Sequence, residues 1–145
     1  MFNVMEEDLF DAYRRTTFSA NTPQGRLSFR VGERCVELDD LLRRHGVTTW
    51  GYVTAFNPGS LLLSVEENVA RQSELERVIA TLGLASYPGA GIGEQGCWPP
   101  EPSVLVLGIS RADAFSLGQQ FGQLAVVHGE LGREAELVVC GPTRR

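Results

Sequence analysis

The sequence predicts an α/β (α+β) fold: a single domain, residues 1–145, with a central mixed sheet of about five strands, helices packed on it, and an antiparallel hairpin at the C-terminal end. Three observations predict it. Amphipathic helical stretches alternate with short apolar strands along the whole chain. SVLVLGI, residues 103–109, is a nearly continuous apolar run of the kind that is covered on both faces of a sheet. LAVV at 124–127 and ELVVC at 136–140 flank the turn-rich HGELGREA and read as two adjacent antiparallel strands.

The elements follow in order. Residues 4–15 form an amphipathic helix with Leu9, Phe10 and Tyr13 on one side. RLSFRV alternates, so Leu27, Phe29 and Val31 share one face of a strand bracketed by Gly25 and Gly32. A short helix runs from Leu38 to His45, with Asp39 and Asp40 in its first turn and Arg43 and Arg44 in its last, matching the helix dipole, and Gly46 stops it. His45 is read as a cation at the negative end of that dipole. TTWGYVTAF, residues 48–56, is aromatic and β-branched and ends at Asn57, because the residue before Pro58 is pushed out of helical geometry. Ser64 and Glu67 form a capping box that opens a helix reaching about Leu82 and closing at Gly83. Ser110 and Asp113 start another, in which Ala114, Leu117, Gly118 and Phe121 share a face. His128 follows a strand and precedes Gly129, which reads as a turn.

The stretch GIGEQGCWPPEP, residues 91–102, carries Gly91, Gly93 and Gly96 at the spacing of a dinucleotide-binding turn. Such a turn works because its glycines lead from a strand into a helix whose amides face a pyrophosphate. Here they lead into Trp98 and then three prolines in four positions, which no helix tolerates. The expectation is therefore no nucleotide cofactor, and a glycine loop running into a stiff extended arm that serves as a lid or rim.

The inventory excludes more than it selects. With 43% hydrophobic and 21% charged residues, the composition is that of a globular protein. No apolar run approaches the roughly 20 residues of a membrane span, and the acidic start MFNVMEEDLFDAY does not resemble an export signal, so a cytoplasmic location is expected. A net charge of -5 disfavours nucleic acid as a partner, and the pairs Arg14-Arg15, Arg43-Arg44 and Arg144-Arg145 read as solvated element ends. Cys35, Cys97 and Cys140 have neither disulfide nor metal-ligand spacing, so no metal is expected. All thirteen basic residues are arginine, which rules out every lysine-dependent chemistry.

The informative helix is 65–82. Val65, Val69, Leu75, Ile79 and Leu82 make an apolar stripe, and Asn68 projects from its middle with Gln72 beside it. Amides on a buried face need partners. Either they satisfy backbone groups of the 57–63 loop, or they line a pocket at the end of the strand that finishes at Asn57. Arg71 and Glu67 have a local explanation as an i,i+4 pair, Asn57 as a turn former, and Gln123 as a capping or edge amide. Glu101, wedged between prolines, is either a solvated rim carboxylate or the one credible general base.

AYRRTTF at 12–18, WGYVTAFNPGS at 50–60, ENVARQ at 67–72, WPPEPSVLVLGIS at 98–110 and FGQLAVV at 121–127 resemble, in order, the successive motifs of the bacterial domain-of-unknown-function family 3293. The resemblance runs from about Tyr13 to Val139. It implies bacterial origin and a single-domain organisation, and it implies no catalytic role.

Two readings of function follow. In one, Asn57, Asn68, Arg71, Gln72 and Gln123 bind a small anionic or nucleotide-like ligand, Arg71 pairing with the anion and Glu101 acting as general base, with hydrolysis the reaction class least in conflict with the inventory. In the other, the domain is a noncatalytic interaction or regulatory module that docks through its glycine-proline arm and Leu61 to Leu63. Strand direction separates them: Asn57 ends its strand whereas Glu101 begins its own, so the two groups meet only if those strands run antiparallel.

Overall fold

The computed structural model describes residues 10–92 and 100–141. Residues 10–14 are helical (α1), and the part of the expected first helix at 4–9 lies outside the described residues. The chain continues through β1 (Thr17–Thr22), β2 (Gly25–Phe29), α2 (Val36–His45), β3 (Thr49–Val53), a short 3₁₀ turn (Pro58–Ser60), α3 (Val65–Thr81), β4 (Ser86–Ile92), β5 (Glu101–Leu107), α4 (Arg111–Gln120), β6 (Ala125–Glu130) and β7 (Glu136–Val139).

The strands form one seven-stranded sheet in the order β2-β1-β4-β5-β3-β6-β7. The α+β class holds, but there are seven strands rather than about five, and every neighbouring pair is antiparallel, so the sheet is not mixed. The two unforeseen strands are β1 and β4. β4 carries Pro88 and two glycines inside a sheet, residues that ordinarily argue against an interior strand. A side chain at Gly89 is impossible, because a Cβ there would lie 1.8 Å from the Ser19 carbonyl oxygen of β1 and 2.9 Å from the Tyr52 hydroxyl. That hydroxyl donates to Ser19 O at 2.7 Å, so the glycine is the opening through which β3 reaches the β1 backbone. The sheet also curls: Val31, just past β2, bridges Ala135, just before β7, bringing its two edge strands within hydrogen-bonding reach.

Strand alternation divides the core into two layers. On one face Phe18, Phe29, Trp50, Tyr52, Leu105 and Leu107 pack with Leu38, Leu41 and Leu42 of α2. On the other, Val53, Val104, Val106 and Val126 pack with Leu75 and Ile79 of α3 and Ala114 and Leu117 of α4. β5 shows why its sequence is continuously apolar, since Val104 and Val106 serve one layer and Leu105 and Leu107 the other.

Several local readings change. α2 begins at Val36, and Asp39 is buried, accepting from Gly132 N at 3.0 Å and Arg34 at 3.4 Å, so it is a tertiary anchor as well as a first-turn carboxylate. His128 is not a turn residue. It lies inside β6 and is buried, and its Nε2 donates to the Ile109 carbonyl at 3.0 Å. Gly46 adopts the left-handed conformation that ends α2, as its position implied. Among the described residues, no helix is long and apolar enough to cross a membrane.

Candidate functional site

β3 and β5 run antiparallel, with Val53 opposite Val104. The outgoing end of β3 therefore lies beside the incoming end of β5, and Asn57 Nδ2 donates to Glu101 Oε2 at 3.1 Å. Gly91 in β4 is paired with Glu101 in β5, so the glycine-rich stretch is the connection between two antiparallel strands rather than a strand-to-helix turn. Gly93, Gly96, Cys97, Trp98 and Pro99 lie outside the described residues, and with them most of the arm read as a lid.

Asn57 is the centre of the site. Its backbone is left-handed, with φ 48° and ψ 62°, and it is the one non-glycine residue with positive φ among the described residues. Asparagine tolerates that conformation better than most residues, yet the following Pro58 crowds it, so surrounding contacts must fix it. They are supplied by Asn68: its Oδ1 accepts from Asn57 N at 2.8 Å, and its Nδ2 donates to Asn57 Oδ1 at 2.9 Å. Asn57 Oδ1 also accepts from Leu63 N at 3.0 Å, closing the 57–63 loop upon its own first residue.

The helix that positions Asn68 begins with the expected capping box: Glu67 N donates to Ser64 Oγ at 3.1 Å, and Ser64 N to Glu67 Oε1 at 3.1 Å. Its buried face is not the stripe expected from the sequence. Asn68, Gln72, Leu75 and Ile79 point inward, whereas Val65, Val69 and Leu82 are exposed, Val65 by 75%. The two amides are therefore part of the buried stripe itself and replace the two valines at its N-terminal end.

Gln72 Oε1 accepts from Ala55 N at 2.9 Å, while its Nε2 is buried with no hydrogen-bond partner among the described residues. Arg71 does not pair with Glu67, whose carboxylate is engaged in the capping box. Its Nε donates to Ala55 O at 2.9 Å and its Nη2 to Phe121 O, which ties β3 to the end of α4. Gln123 Nε2 donates to Phe56 O at 3.1 Å and Phe121 O at 3.4 Å. Gly59 N donates to Gly122 O at 2.8 Å, and a Cβ at Gly122 would fall 2.9 Å from that of Pro58, so the two loops are in direct contact.

The structure thus brings all six sequence-selected residues to one end of the sheet. Asn68, Gln72 and Gln123 are buried; Asn57, Arg71 and Glu101 are half-buried. Sequence reasoning missed Tyr13, which reaches the same end. Its hydroxyl donates to Ala125 O at 3.3 Å, and its phenol is pushed well above the ordinary tyrosine range, chiefly by burial and secondarily by the Glu101 charge. Its position on the apolar side of the first helix gave no hint beyond a core residue. Among the described residues no group of three or more His, Cys, Asp or Glu could hold a metal ion.

No curated protein and no solved structure matches the chain. A family model does, over residues 53–126, which span the Asn57 loop, α3, β5 and the start of β6, more than half of the chain. The chain belongs to the family described as protein of unknown function DUF3293.

Proposed function

We propose that the Asn57 end of the sheet binds a small anionic or nucleotide-like ligand and that Glu101 serves there as a general base in a hydrolysis. The observation that carries the reading is the gathering of six polar residues at one end of the sheet, three buried and three half-buried, around a backbone in left-handed geometry. Strain of that kind persists where the surroundings over-determine it, and it concentrates at functional sites. The buried amides hold the loop. The half-buried groups present the chemistry.

Arg71 uses two of its five N–H groups on backbone carbonyls, so three remain for an anion. The unpartnered Gln72 Nε2 is a further donor, costly to leave unmade and satisfied by an acceptor oxygen of a bound molecule. Asn57 Nδ2 orients the Glu101 carboxylate, which would take a proton from water as the water oxygen attacks the electrophilic atom and the leaving group departs.

A thermal-shift panel of nucleotides and phosphate monoesters on the wild type, Asn57→Gly and Glu101→Gln tests the reading. It expects at least one compound to raise the wild-type midpoint and to do so less in the variants. A flat response across the panel, with no small molecule retained in native mass spectrometry, would remove it.

One observation favours the other reading. Leu61, Leu62, Val65 and Val69 are all more than half exposed and lie within nine residues beside the site. That apolar surface suits a noncatalytic interaction or regulatory module. Loss of every ligand response in the panel leaves this second reading in place.

A further inference from the structure

We propose a second, separate site: a cleft between the β1–β2 hairpin and α2 that binds a free zwitterion of dipeptide size, its ammonium at Glu37 and its carboxylate at Arg44. The cleft has a volume of about 140 Å³, against roughly 300–1,000 Å³ for a site that takes a drug-sized ligand, so it admits only a small molecule. Its base is apolar, from Leu27 and Leu41, and its walls carry Arg26, Glu37, Asp40 and Arg44. Phe18, at the start of β1, pairs with Gly91, and Gly91 pairs with Glu101, so the hairpin turn stands at the end of the sheet away from Asn57. All the lining residues fall within 22–44, a stretch that is described throughout.

The wall charges differ in what already meets them. Asp40 pairs with Arg43, outside the cleft, at 3.0 Å, and Arg26 Nε donates to Asn21 Oδ1 at 3.4 Å. Glu37 Oε1 accepts from the Cys35 thiol, a weak donor, at 3.7 Å. The Arg44 guanidinium has no partner among the described residues. Solvent is the ordinary partner of such charges on an exposed helix face; what distinguishes this pair is its arrangement. Glu37 and Arg44 are seven residues apart in α2, so they share one face and stand roughly 10 Å apart along its axis. The thiol that reaches Glu37 also donates to Ser28 O at 3.3 Å, which places the acid near the outgoing end of β2 and leaves Arg44 for the hairpin turn. Between them runs an open sheet edge. β2 is terminal in the sheet, its Ser28 carbonyl faces away from β1, and strand alternation turns the Arg26 main chain the same way. An extended dipeptide spans roughly 7 Å. Running antiparallel to β2, it sets a peptide group against the Arg26 N–H and C=O, and the flexible Glu37 and Arg44 side chains close on its two termini. Cys35 occupies the edge at Ser28, so a longer strand cannot continue past it.

Alanyl-alanine, titrated into the full chain and followed by two-dimensional amide NMR, tests the proposal. Saturable shifts confined to residues 22–28 and 35–45 are expected. N-acetylation and C-amidation of the dipeptide should each weaken binding by about tenfold or more, since each removes one charge. Glu37→Gln and Arg44→Gln, both at exposed positions, should weaken it by a similar factor, and the acetyl cap should then cost Glu37→Gln nothing further, nor the amide cap Arg44→Gln. Arg111→Gln, in α4, should leave the affinity unchanged. Shifts that map elsewhere, a capped dipeptide or free alanine that binds as tightly as alanyl-alanine, or an affinity that survives both cleft substitutions would overturn the site. An absence of shifts at millimolar dipeptide would do the same. Because Glu101→Gln leaves this cleft intact, failure here and failure at the Asn57 end are distinguishable.

Discussion

Asn57 and Glu101, 44 residues apart in sequence, are joined by a 3.1 Å hydrogen bond because β3 and β5 are antiparallel neighbours. The bond couples the one left-handed asparagine of the described fold to the carboxylate proposed as general base. It also fixes what each substitution around it should do.

Asn57→Gly removes the side-chain bonds to Glu101, Leu63 and Asn68 but accepts the backbone, whereas Asn57→Ala removes the same bonds and must also adopt positive φ. Urea denaturation should rank wild type above Gly and Gly above Ala, with the last step about 1 kcal/mol. Equal stability of the two variants would show that the left-handed geometry carries no cost.

Gln72→Leu should destabilise the fold by about 1–3 kcal/mol, since it strands the buried Ala55 N–H. The isosteric Gln72→Glu keeps an acceptor for that N–H and removes the unpartnered donor, so it should lose ligand response more than fold. A chemical melt on each variant, paired with the ligand panel, separates the two effects.

Gly89→Ala should abolish folding or cost several kcal/mol, because the added Cβ would fall 1.8 Å from Ser19 O and force β1 from β4. The neighbouring Ala90→Gly provides the scale, at about 0.5–1 kcal/mol for glycine in a strand. Circular dichroism and thermal melting suffice to compare them.

The Glu136 carboxyl is held below its ordinary range, chiefly by hydrogen bonding from Arg111, which outweighs the opposing effect of burial, and further by the Arg111 charge. A carboxyl with a lowered folded-state value stabilises above its unfolded value and loses that contribution as pH falls through the folded one. The pair should therefore contribute at neutral pH and vanish in acid below about pH 4. Both side chains are half exposed, so the amount is under about 1 kcal/mol. Stability against pH for wild type and Arg111→Gln should converge in acid and separate near neutrality.

Much of this fold was legible. β3, β5, α2, α3, α4 and the β6–β7 hairpin announce themselves through apolar pattern, caps and turns, all local signals. β4 did not, because Ser86–Ile92 carries Pro88, Gly89 and Gly91, and what makes it a strand is the close approach of β1 and β5 on either side. Such pairing is long-range and has no local signature. The polar residues of the site were legible for a simple reason: Asn68 and Gln72 sit among apolar residues on a helix and require partners. Their orientation was less so. The apolar stripe drawn through Val65 and Val69 is exposed, since at the start of α3 the loop from Asn57 to Leu63, not the sheet, occupies the inward side and asks for amides. Arg71 was assigned to Glu67 by spacing, but two backbone carbonyls just past β3 and α4, those of Ala55 and Phe121, compete for it and win.

A ligand bound at the Asn57 end of the sheet, as proposed, would be reported directly by the side-chain amide protons there. A two-dimensional NMR titration with the compound giving the largest thermal shift should move the NH₂ signals of Asn57 and Gln72, with Gln72 Nε2 gaining the partner it lacks. A titration that shifts signals elsewhere while the amides of Asn57, Asn68, Gln72 and Gln123 stay fixed would contradict the account.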